Sequence, residues 1–138
     1  MERPLASPHE IRNPETLAPA SGFSHAVIAQ TGRTVYVAGQ TAQRVDGTVA
    51  PGNMADQFDV AAANVVKALE AAGAHPQDLV SMQIFVTDIA EYKRRSKAIG
   101  EAYRRHFGRH YPALALIEVS RLFDPKARVE LMCIAVTA

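Results

Sequence analysis

The segment Val129–Val136 constrains this chain more than any other. Val129, Leu131 and Cys133 alternate with Met132, Ile134 and Val136. Successive side chains of a strand point to opposite faces, so this strand is apolar on both. Such a strand needs cover on both sides. The rest of the sequence offers two helical stretches, enough for one face of a sheet. Another subunit is therefore expected on the second face, and that inference rests on the strand pattern alone.

The other elements follow from periodicity and punctuation. Residues 1–22 carry prolines at 4, 8, 14 and 19 and read as an irregular arm. Ser24–Gln30 and Thr34–Ala38 read as two strands joined at Thr31-Gly32-Arg33, where glycine supplies the turn. Asp46-Gly47 marks a further turn. A helix is expected from Asn53, a good N-cap, with Asp56 favourably placed in the first turn. Phe58, Ala62, Val65 and Leu69 repeat at helical spacing, and Gly73 is a natural stop. Leu79–Thr87 reads as a strand with Val80, Met82, Ile84 and Val86 on one face. Asp88-Ile89-Ala90-Glu91 has the form of a capping box and opens a second helix. Tyr92, Ile99 and Tyr103 line that helix's inner face, and Gly108 ends it. Ala113–Val119 and Val129–Val136 are the last strands, separated by a loop that contains Asp124-Pro125. The order β-β-α-β-α-β-β is an α+β pattern, with two helices on one face of a sheet, in a single domain spanning 1–138.

Charge and cysteine usage exclude several function classes. Lysines and arginines number 15 against 14 acidic residues, so the chain as a whole presents no nucleic-acid or membrane surface. No apolar run is long enough to span a bilayer. Cys133 is the single cysteine and can form no disulfide within the chain, so a cytoplasmic protein is expected. Lys93, Arg94, Arg95, Lys97, Arg104, Arg105 and Arg109 make the second helix basic. No stacking aromatics are interleaved, so a solvated face is favoured over a nucleic-acid site. His106 and His110 stand four apart, which could set two metal ligands on one helical face. Gly108 between them ends the helix first, and no metal is expected. Cys133 reads as a small core residue.

The chain resembles the Rid family, also called YjgF. The resemblance is carried by Asn13-Pro14, Ser24-His25-Ala26-Val27, Val37-Ala38-Gly39-Gln40, Gln57, Asn64-Val65, Leu69, Ala72-Gly73, Phe85-Val86-Thr87-Asp88, Pro112-Ala113, Glu118-Val119, Arg121-Leu122 and Val129-Glu130. These fall in the family's order and spacing over nearly everything after residue 12. Resemblance implies a chorismate-mutase-like fold, a homotrimer and small-molecule clefts between subunits. It also implies hydrolysis of reactive 2-imino acids or their enamines without a cofactor. That chemistry needs an arginine fork for the substrate carboxylate, a carboxylate to activate water, and polar groups to stabilise charge as water adds.

Carried over residue by residue, the resemblance gives a mixed site. Glu130 matches the family glutamate, and Gly39-Gln40 matches the Gly-Gln segment. The arginine position holds Leu114. Phe23 stands nearest the family tyrosine but has no hydroxyl, Ala38 replaces a serine, and Leu116 replaces a small residue or cysteine. The expected pocket is apolar with one carboxylate, formed by Phe23, Ala38, Gly39, Gln40, Leu114 and Leu116 with Glu130 catalytic.

Weak activity on simple 2-imino acids follows, because an unpaired carboxylate is costly to bury. A structural carboxylate paired with Arg128 or a backbone amide, or a solvated edge residue, is the competing reading of Glu130. Glu118 is expected to form an intersubunit pair. His25, near the presumed cleft, is either a proton shuttle or a hydrogen-bonding sheet residue. Arg121, odd-numbered, faces away from Leu114 in a regular strand. A non-catalytic metabolite-binding or protein-interaction trimer is the alternative function, and a ribonuclease or translation inhibitor the weaker one.

Overall fold

In the computed structural model, which describes residues 6–138, the 18-residue helix α1 (Met54–Ala71) is the best-specified element. Asn53 Oδ1 accepts from the Asp56 amide at 3.0 Å, and Asp56 Oδ2 accepts from the Asn53 amide at 3.0 Å, completing a capping box. Phe58, Ala61, Ala62, Val65 and Leu69 are fully buried. The helix ends on Gly73 at φ +75°, where the Gly73 amide donates to Glu70 O and the Ala74 amide to Leu69 O. This is the Schellman arrangement, which needs a residue tolerant of left-handed backbone.

The main sheet runs β3-β6-β4-β5, with β3 Arg33–Gln40, β4 Leu79–Val86, β5 Ala113–Glu118 and β6 Val129–Thr137. β6 is antiparallel to both neighbours, while β4 and β5 are parallel, so the sheet is mixed. Val129, Leu131, Cys133 and Ala135 of β6 face the helices and are at most 1% exposed. In β4 the same face is made by Leu79, Met82, Ile84 and Val86, all buried. Val80 does not join them as expected. The register against β6 shifts between Leu79 and Ser81, which turns Leu79 inward in its place. Each large apolar side chain so buried contributes roughly 1.5–3 kcal/mol relative to exposure.

The opposite face of the sheet carries no helix among the described residues. Tyr36 is 78%, Met132 41% and Ile117 39% exposed there, with Ile134 and Phe85 half-buried beside them. The two-sided apolar pattern of β6 thus has cover from this chain on one side.

Three expectations need correction. Ser24–Gln30 does not form a hairpin with the following strand. Only Ala26–Ile28 (β2) is extended, and it pairs antiparallel with Glu10–Arg12 (β1), while β3 pairs with β6. Part of the arm is therefore a strand, although residues 1–5, including Pro4, lie outside the described residues. The second helix is two, α2 Ile89–Arg94 and α3 Ser96–Phe107, with Arg95 between them at φ −103°, ψ 15°. The change of direction lets Tyr92 and Ile99 both reach the core.

The third correction concerns Glu91. Asp88 Oδ1 does accept from the Glu91 amide at 3.0 Å. The Glu91 carboxylate does not return the bond. It is buried and accepts from the Met54 amide at the start of α1 at 3.0 Å, from Arg95 at 3.3 Å and from Arg128 at 3.4 Å. Glu118 is likewise used inside the chain, where Oε1 accepts from the Ile89 amide at 3.0 Å. Both carboxylates sit where a helix N-terminus favours negative charge.

Candidate functional site

The residues singled out from sequence fall into two clusters. The first is built on a bulge. Val37 pairs with Cys133 but Gln40 pairs with Leu131, so β3 holds one extra residue at Ala38-Gly39. Opposite it, Glu130 projects from β6 and lies against Gly39. A Cβ at Gly39 would stand 2.7 Å from the Glu130 carboxyl carbon and 3.1 Å from its Cγ. This close approach, and not a positive φ, favours glycine at position 39. Gln40 Nε2 donates to Ala38 O at 3.1 Å, closing the bulge from the other side. Glu130 is half-buried and, among the described residues, enters no ion pair. Arg128, its partner in the competing structural reading, goes to Glu91 instead.

The second cluster lies at the β5 edge. Ser24 bridges to Ala113, its hydroxyl donating to Tyr111 O at 2.6 Å, and this sets Phe23 beside Leu114 in a shallow groove of about 340 Å³. His25 lies in the same groove, edge-on to Phe23 with ring centroids 5.0 Å apart. Its Nε2 stands 2.7 Å from Ala18 O and its amide donates to Asn13 Oδ1, so it is held by its own arm. Leu114 and Leu116 are half-buried and pack from the helix side against the core.

The clusters do not meet within one chain. Leu114 is level with Met82 and, through it, Cys133. Glu130 is thus two strands away and three residues further along, about 10 Å in each direction. It also projects from the opposite face.

The other singled-out residues have different employment. His106 Nε2 is 2.7 Å from Asp59 Oδ1, and His110 Nε2 is 2.7 Å from Leu79 O. Burial costs the Asp59 carboxylate solvation, but the hydrogen bonds from His106 and Arg105 outweigh it and hold its pKa below the usual range. Cys133 is buried and its thiol is pushed up to about 12 by burial, so it is no nucleophile at neutral pH.

Sequence reasoning missed a cleft of about 750 Å³ at the loop end of the sheet, which Arg121 and Arg128 help to line. Its residues come from separate loops with no shared periodicity, so no sequence signal gathers them. The Gly39–Glu130 contact was also missed, although both residues were singled out.

The chain is thus a small α+β protein, a mixed sheet with helices on one face and a lone carboxylate folded over a glycine bulge. Comparison with known proteins gives its family. A profile of the endoribonuclease L-PSP family matches residues 13–137. A goat protein named 2-iminobutanoate/2-iminopropanoate deaminase is 31% identical over 83% of this chain and 79% of its own length. A protein of the same name from the mite Dermatophagoides farinae is 32% identical over 91% and 94%. Among solved structures, a Yersinia pestis member of the conserved Rid family, described as of unknown function, superposes with a TM-score of 0.83. It is 31% identical over 94% of this chain and 98% of that one. A Mycobacterium tuberculosis member of the YjgF/YER057c/UK114 family gives 0.63 at 33% identity, over 84% and 87%. The chain therefore belongs to the endoribonuclease L-PSP family, the Rid/YjgF proteins, and has their fold.

Proposed function

We propose that this protein takes a small reactive imine or enamine in a cleft between subunits and hydrolyses it, with Glu130 activating water. The observation that carries the reading is the Glu130 carboxylate, laid over the Gly39 bulge without an ion-pair partner among the described residues. A half-buried acid held this way has the reach and freedom a general base needs. Two relatives carry the name 2-iminobutanoate/2-iminopropanoate deaminase, which agrees with this chemistry. The other half of the pocket, Phe23 with Leu114 and Leu116, lies at the far edge of the same sheet, so a complete pocket uses two copies. The helix-free apolar face supports that assembly, and we take it to be the homotrimer of the family resemblance. The one thiol is buried and unpaired, in keeping with a cytoplasmic setting.

Simple 2-imino acids are poor substrates in this reading. With Leu114 at the arginine position nothing in the pocket grips a carboxylate, and a neutral or cationic substrate fits the Phe23–Leu114 groove better. The test is to generate 2-iminopropionate enzymatically and follow ammonia release. Slow turnover is expected from the natural sequence, faster turnover from Leu114→Arg, and loss of that gain from Leu114→Arg/Glu130→Gln. Fast turnover by the natural sequence, or a Leu114→Arg rate equal to it, overturns the assignment. The absent hydroxyl at Phe23 and guanidinium at Leu114 favour a second reading, a non-catalytic binding protein. Ligand binding retained in Glu130→Ala, with no turnover by the natural sequence on any imine, would establish it.

A further inference from the structure

On the helix side of the sheet, where β4 and β5 end and β6 begins, two loops enclose the cleft of about 750 Å³. Four of its lining residues are cationic, Arg44, Arg121, Lys126 and Arg128, and none is acidic. The whole chain carries a net charge of only +1, so this is a local concentration of charge and not a share of a generally basic surface. Arg128 leans on Glu91 at 3.4 Å, and Arg44 Nε donates to Thr48 Oγ1 at 3.0 Å. Among the described residues, Arg121 and Lys126 pair with no carboxylate.

The walls that carry these charges are tied together by one buried amide. Gln57 of α1 is 2% exposed. Its Nε2 donates to Ala50 O at 3.2 Å on one wall and to Lys126 O at 2.9 Å on the other. Its Oε1 accepts from the Arg128 amide at 2.8 Å. The cationic loop is thus fixed to the helix before any ligand arrives, which lowers the ordering cost of binding. Val49 and Leu122 add apolar lining, and Val45 and Phe123 project fully exposed from the same two loops.

We propose that this cleft binds a small organic anion bearing carboxylate or phosphate groups on an apolar body. Arg121 and Lys126 grip the acidic groups while Arg44 and Arg128 flank them. A bound anion supplies the partner that Arg121 and Lys126 lack among the described residues. The arginine fork meets a carboxylate or phosphate in bidentate fashion, and Val49 and Leu122 receive the carbon skeleton. The volume is in the range of sites that enclose metabolite-sized ligands. The cleft lies on the opposite side of the sheet from Glu130, so this proposal and the imine chemistry stand independently. RNA phosphates share the chemistry, but the cations border a cleft with apolar lining from Val49 and Leu122, which favours the small anion.

The experiment is titration of the isotopically labelled full chain with malonate and with phenyl phosphate, following backbone amide resonances, with sodium chloride at matched ionic strength as control. Saturable shifts are expected at Gly52, Thr87 and Ala127, next to the cationic side chains. Arg121→Gln/Lys126→Gln should weaken binding roughly tenfold, the equivalent of ~1.4 kcal/mol. Both side chains are exposed, so the variant's melting temperature should be unchanged. Shifts reproduced by chloride, or an affinity unaltered in the double variant, overturn the proposal. So does a short single-stranded oligoribonucleotide that binds these residues more tightly than either small anion. None of these results touches the role of Glu130.

Discussion

Replacing Gly39 by alanine isolates the contact on which the site is built. The backbone at Gly39 is open to an L-residue, and the nearest atoms to the new methyl all belong to the Glu130 side chain, 2.7 Å away at Cδ and 3.1 Å at Cγ. Carbon atoms rest at about 3.5–4.0 Å, so Glu130 must swing away. Leaving its rotamer costs about 0.5–1.5 kcal/mol, and imperfect relief of the overlap adds to this within the roughly 1–3 kcal/mol range of overpacking. The smaller unfolded-state entropy of alanine returns about 0.4–1 kcal/mol, for a net loss of ~1 kcal/mol. In a Glu130→Ala background the obstacle is gone and the substitution should be neutral or mildly stabilising. Urea unfolding of the four proteins at one fixed protomer concentration reads the coupling. The double variant should be roughly 1–2 kcal/mol more stable than the sum of the single effects. Additivity within about 0.3–0.5 kcal/mol would show that the two residues do not share this space.

Three further outcomes follow from the packing and the charges. Leu131→Ala, at a position with no exposed surface, should cost ~3 kcal/mol and lower the melting temperature sharply; a loss under about 1 kcal/mol would mean that β6 is not central. Glu91→Ala leaves the Met54 amide and two guanidinium groups without their acceptor, so a loss of ~2 kcal/mol is expected by urea unfolding; a neutral effect would contradict the buried network. Burial, with repulsion from His9, holds His110 below its ordinary value of 6.5 against the opposing pull of Leu79 O and Asp78. The unfolded chain therefore binds the proton first, and stability falls as pH drops below 6.5 until the folded-state value is passed. His110→Gln should flatten that part of the stability profile, and an unchanged slope would refute the assignment.

The helix α1 was legible because every signal agreed: Asn53, Asp56, the Phe58–Leu69 stripe and Gly73 all point to the same boundaries. The late strands were legible from alternation, and the presence of only two helical stretches foretold helices on one face of the sheet, as found among the described residues. The pairing of the early strands was not. Gly32 offers a plausible turn, but β3 gains more by lying against the apolar β6, and β2 takes the polar arm segment Glu10–Arg12 instead. Such choices are made by tertiary competition, which short-range turn chemistry does not record. The break at Arg95 has no glycine or proline to announce it. At the site, Glu130 and Gly39 were each visible, but the bulge that brings them together depends on register across strands ninety residues apart in sequence. The destinations of Glu91 and Glu118 were hidden for the same reason, since a carboxylate that caps a distant helix looks like any surface acid.

If one pocket draws on both clusters, as proposed above, their opposed placement bears on the symmetry of the assembly. Ala38, Gly39 and Glu130 sit toward the β3 side of the sheet, Phe23 and Leu114 at the β5 edge. A two-fold dimer joins unlike halves only where one interface spans both clusters, so that each half meets its opposite twice. A head-to-tail contact joins them with only one cluster of each subunit at each junction. Such contact either closes into a ring of subunits or grows without end, so the curvature at a single junction decides between a finite particle and a fibre.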